Sequence, residues 1–214
     1  MRKATRITAT VLGLTAGVAG IEHGIFEILQ RNTRPEGLMI ASMGPPCVPE
    51  LTWNACEPAM TVVPNFLITG ILAVIFGLAV TIWSVFFVQK KHGGLVLILL
   101  CVPLLLFGGG LFPPLIGIIA GALGTRINKP LNPEGSRLSG GLLRFLAVLW
   151  PWALALYVLW VLGQWVIGYL FNDWLLVNGY LIIIIILGTL LLTVFTTYAR
   201  DLQEAAKARV QASA

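Results

Sequence analysis

The sequence predicts an all-α polytopic membrane protein: four full transmembrane helices plus a hydrophobic hairpin broken by glycine and proline, with both termini cytoplasmic. Three observations carry this. The 214 residues are 57% apolar and only 11% charged, with a mean hydropathy of +0.90, which leaves too little polar surface to cover a water-soluble globule. Apolar runs of spanning length recur along the chain, and the basic residues sit in the short connections between them. In that setting the net charge of +5 sets topology, and no nucleic-acid partner is expected. The chain reads as a single unit, 1–214, in the plasma membrane, with the lipid bilayer as its partner.

Residues 7–29 form the first apolar run, long enough for the roughly 20 helical residues that a bilayer core requires. The opening Met1-Arg2-Lys3 and the small residues 16–20 resemble a signal peptide, but the apolar pattern continues to Leu29, so the segment is expected to be retained as a span. A polar connection over 30–63 follows, then a second run over 64–88.

The run 93–125 contains Gly108-Gly109-Gly110 and, just beyond, Pro113-Pro114. Triple glycine with a proline pair breaks a helix, so the run is expected to fold back as two short spans or a re-entrant loop. Lys and Arg counts favour the fold-back. With it, twelve of them (Arg2, Lys3, Arg6, Lys90, Lys91, Arg126, Lys129, Arg137, Arg144, Arg200, Lys207, Arg209) lie inside, and only Arg31 and Arg34 outside. One continuous span would leave five inside and nine outside. A basic cytoplasmic loop over 126–142, spans over 143–171 and 179–198, and a cytoplasmic tail over 200–214 complete the chain.

The first span carries the candidate site. Gly13, Gly17, Gly20 and Gly24 fall within about 60° of one another at 100° per residue, a narrow stripe suited to close helix packing of the GxxxG kind. His23 and Glu27 flank it as an i,i+4 pair, and Glu22 lies opposite, in line with Thr8 and Thr15. An intramembrane carboxylate costs at least about 2.5 kcal/mol on insertion scales, so Glu22, His23 and Glu27 are candidates for carrying a proton or binding a cation. Thr15, and Gln164 in the 143–171 span, are further ligand candidates. The structural alternative makes His23 and Glu27 a simple pair and Gln164 interhelical glue.

Cys47 and Cys56 lie in the external connection and are expected to form a structural disulfide closing a proline-rich cap. Their spacing is not that of a C-x-x-C thiol oxidoreductase. No Cys/His cluster, phosphate loop, dinucleotide fingerprint or nucleophile elbow is present, so no metal, cofactor or assigned catalytic residue is expected. Three functions remain compatible: a small transporter or channel, a non-catalytic accessory subunit of a larger membrane complex, and a membrane-embedded enzyme acting on a lipid or quinone. Homo-oligomers and other membrane subunits remain open as partners.

Overall fold

The computed structural model describes residues 1–42, 57–131 and 139–213. Within them the chain forms six helices, α1 (Lys3–Leu29), α2 (Phe66–Phe86), α3 (Gly93–Leu106), α4 (Phe112–Gly124), α5 (Gly140–Leu170) and α6 (Asn172–Ser213). A two-stranded antiparallel ribbon, β1 (Met39–Ala41) with β2 (Pro58–Met60), lies between α1 and α2. Four helices, α1, α2, α5 and α6, are long and apolar enough to cross a membrane. The fold is all-helical, as expected, apart from this small ribbon, whose strands of three residues are too short to show a two-residue period. Cys47 and Cys56 lie outside the described residues, as does Arg137.

The run 93–125 is two helices. At 14 and 13 residues, α3 and α4 rise about 21 and 20 Å, well under a hydrocarbon core of about 30 Å. They pack antiparallel, with Gly94 against Gly121 and Gly124, and Gly117 against the Cys101 sulfur. The break occupies residues 107–111 only. Pro113 and Pro114, expected to belong to it, stand in the first turn of α4, where a missing N–H costs no helical hydrogen bond. Pro103 is accommodated inside α3. The stretch 200–213, expected as a separate tail, continues α6 without interruption.

α1 occupies the centre and touches α2, α4, α5 and α6. It pairs antiparallel with α2 at very close range. Gly13 faces Ser84, Gly17 faces Gly77 and Thr81, and Gly24 faces Gly70, while Gly20 receives the Leu104 side chain of α3. Leu12, Val80, Leu97, Leu104 and Tyr157 fill the apolar core around these contacts.

On its other side α1 meets α5 and α6 through hydroxyl groups. The hydroxyls of Thr8 and Thr197 share a hydrogen bond of 2.7 Å, the Trp150 indole donates to Thr8 at 3.1 Å, and Thr15 and Tyr157 share one at 3.1 Å. Asp201 of α6 accepts from the backbone N–H groups of Ala4 (2.8 Å) and Thr5 (2.9 Å) and from the Thr5 hydroxyl. α1 has no capping side chain of its own, so this distant carboxylate satisfies two of its orphan N–H groups. Beside it, the Arg2 N–H donates to the Ile127 carbonyl at 2.8 Å and its guanidinium to the Lys129 carbonyl at 2.9 Å. Asn65 and Ser139 cap α2 and α5 in the ordinary local way.

Candidate functional site

At the ribbon end of α1, three parts of the chain converge on His23 and Glu27. The first part is the α3–α4 turn. Gly108 and Gly110 adopt φ of +87° and +81°, a region open to glycine and unfavourable to other residues. A Cβ on Gly108 would overlap both Glu27 carboxyl oxygens, and one on Gly110 would overlap the His23 ring at Nε2. Gly109 is packed against Leu104 of its own turn.

The second part is the ribbon, which holds this turn in place. The Gly108 N–H donates to the Met60 carbonyl at 2.8 Å, and the Val62 N–H donates to the Leu106 carbonyl at 3.0 Å. Thr61 forms an antiparallel bridge with Phe107. The non-helical backbone of the break thereby finds hydrogen-bond partners within the protein, as a break at membrane depth requires.

The third part is the short stretch that enters and leaves the ribbon. Ser42, fully buried, hydrogen-bonds through its hydroxyl to His23 Nδ1, and to the Glu57 carbonyl at 3.3 Å. His23 Nε2 lies 3.7 Å from Glu57 Oε1. A hydroxyl has one proton to give, so Ser42 donates either to the carbonyl or to Nδ1, and each choice fixes which imidazole nitrogen holds the proton. Gln30 braces this stretch by donating to the carbonyls of Ala41 (3.1 Å) and Ser42 (3.0 Å).

Glu27 differs from its neighbours. Its exposure is 0%, and among the described residues neither carboxyl oxygen has a hydrogen-bond partner. The nearby Thr61 and Thr69 hydroxyls satisfy each other at 2.6 Å. Buried polar side chains are paired in the large majority of cases, which sets this carboxyl apart. Glu22 is half-buried, and its strongest charged neighbour is the Glu57 carboxylate, which repels it.

The remaining candidates lie elsewhere. Thr15 hydrogen-bonds Tyr157 and the Leu12 carbonyl of its own helix. Gln164 is half-buried on α5 and contributes no hydrogen bond to the cluster. Thr189, Thr193 and Thr196 of α6 hydrogen-bond to carbonyls of their own helix. Sequence reasoning missed Ser42 and Glu57, because a single serine or glutamate in a polar connection carries no periodic signal. Among the described residues no group of three or more His, Cys, Asp or Glu is placed to hold a metal ion.

The arrangement sets ionisable groups close together: a buried carboxyl, an imidazole one helical turn away, and a second carboxylate 3.7 Å from that imidazole, with the Ser42 hydroxyl held to the ring. It also contains serine, histidine and glutamate in sequence, with Ser42 wholly buried. Comparison of the chain with protein-family models, with curated proteins and with solved structures found no match.

Proposed function

We propose that this membrane protein is a small transporter or channel, in which Glu27 and His23 carry a proton or hold a small cation at the outer end of the bundle. The observation that carries the reading is the Glu27 carboxyl, fully buried and without a hydrogen-bond partner among the described residues. An unpaired ionisable group in an apolar bundle is a standing cost, which a purely structural role does not repay. Its setting supports the reading, because broken helix pairs with glycine-rich turns recur where membrane transporters bind their substrates. Beyond Glu27, His23 faces the Glu57 carboxylate directly across 3.7 Å, and Glu57 is 23% exposed, which supports a route from the buried pair to water.

The accessory-subunit reading draws less support from the glycine stripe. Gly13, Gly17 and Gly24 are covered by α2 and Gly20 by Leu104, so this stripe is used within the chain. The test is proton flux in liposomes containing this chain alone, driven by a potassium diffusion potential and read with an internal pH dye. Glu27→Gln and His23→Ala each lower the flux by about tenfold or more, the scale of one lost proton-transfer group. Wild-type flux from a folded Glu27→Gln variant overturns the proposal. Glu22→Gln, assayed alongside, reports whether the half-buried carboxyl shares the path.

A further inference from the structure

The space in front of the Glu27 carboxyl is decided by one glycine. A Cβ built on Gly108 would stand 2.6 Å from Glu27 Cδ and closer still, almost equally, to Oε1 and Oε2. That point, between and beyond the two oxygens, is the chelating position of a carboxylate, where a bidentate Ca²⁺ lies about 2.3 to 2.6 Å from each oxygen. It is one carbon–carbon bond, about 1.5 Å, from the Gly108 Cα, so backbone already fills the room such an ion would need. At the root of the side chain α2 is as close: a Cβ on Gly70 would lie 2.9 Å from the Glu27 Cβ.

The other oxygens around the turn are already engaged. At the end of α3 the carbonyls of Pro103, Leu104 and Leu106 accept from the N–H groups of Phe107 (2.9 Å), Gly109 (2.9 Å) and Val62 (3.0 Å), and the Met60 carbonyl accepts from Gly108 (2.8 Å). Thr61 and Thr69 hydrogen-bond each other. Among ionisable side chains, His23 lies one turn back on α1 and is held by Ser42, with Glu57 beyond it. α2, β2 and the turn 107–111 contribute none.

We propose that Glu27 is a proton-specific site and that Gly108 sets the specificity, its Cα barring the place of a metal ion. The inference rests on the transport reading for what the site serves, and narrows its cargo to the proton. A Ca²⁺ ion takes about 6 to 8 oxygen ligands, and K⁺ likewise trades its hydration shell for protein oxygens. A proton needs one oxygen only. It bonds to either atom of the carboxyl, leaves the group neutral, and so removes the cost of burying an unpaired anion without any further ligand.

The test is infrared spectroscopy of the full chain in phosphatidylcholine nanodiscs, following the carboxylic-acid C=O stretch that Glu27→Gln removes. Its intensity reports the protonated fraction at each pH, at equilibrium and with no gradient. In N-methylglucammonium, Na⁺, K⁺ and Ca²⁺ buffers of matched ionic strength the titrations are expected to coincide. A cation that binds the carboxylate displaces the proton and lowers the midpoint by about one pH unit for each tenfold of concentration above its dissociation constant. Such a shift with any of the three metal ions overturns the proposal. Should Glu27→Gln fail to fold, Glu27→Asp assigns the band by moving it, and the absence of any band that these variants alter also overturns the proposal. The two readings fail separately. A salt-independent titration without proton flux in liposomes discards transport and keeps the proton site, whereas a metal-ion flux that requires Glu27 discards the proton site and keeps transport.

Discussion

Gly108 packs so closely on the carboxyl group of Glu27 that a Cβ at this position would overlap both carboxyl oxygens. The contact joins the helix break to the ionisable pair. Gly108→Ala should therefore do two kinds of damage, straining a backbone at φ +87° and displacing the carboxyl. We expect a loss of about 2 to 4 kcal/mol, combining the left-handed penalty with overpacking. Gly37→Ala, where a Cβ meets nothing within 4 Å, is the matched control and should be neutral. Thermal unfolding in detergent measures both.

Ser42→Ala removes the hydroxyl that holds His23 Nδ1 and leaves the ribbon backbone intact. Stability should fall by about 1 kcal/mol, the usual worth of a buried hydrogen bond. Proton flux should fall further than this small destabilisation accounts for. Equal, small losses in both would make the serine a structural brace only.

Gly17→Leu places a side chain where the Gly77 carbonyl and Thr81 already stand. Backbone cannot give way as a side-chain tip can, so we expect a cost of about 3 kcal/mol and separation of α1 from α2. A cysteine pair placed across this contact and scored for oxidative cross-linking reads that separation directly.

Thr15→Val and Tyr157→Phe, alone and together, test the hydrogen bond between these hydroxyls of α1 and α5. A double-mutant cycle should return a coupling of about 0.6 to 1.5 kcal/mol, in line with interhelical hydrogen bonds in membranes. Zero coupling would show that the helices are held at this level by packing alone.

Much of this architecture could be read in advance, and the reasons are local. The four long helices show themselves by run length, since an apolar stretch of about twenty residues matches the thickness of a bilayer core and far exceeds an ordinary buried strand. The interruption near Gly108 shows itself because glycine and proline act on their own backbone. Glu22, His23 and Glu27 stand out against an apolar background. What remained hidden depends on partners distant in sequence. Nothing near Gly108 announces that its turn will press on Glu27, and nothing near Ser42 or Glu57 announces an imidazole. Pro113 and Pro114 show the limit of a residue-type rule: proline that breaks a helix in its interior opens one in its first turn.

The cap supplied by Asp201 bears on the order in which the protein can be completed. α1 is made before the other five described helices, and the carboxylate that finishes its first turn lies 197 residues later. At ordinary translation speeds of about 5 to 20 residues per second, that interval is about 10 to 40 s. Throughout it, the Ala4 and Thr5 N–H groups await their final partner, and water or lipid headgroups must serve meanwhile. Closure of the first turn thus waits for α6, and a nascent chain stalled before Asp201 carries that turn open as its own mark of incompleteness.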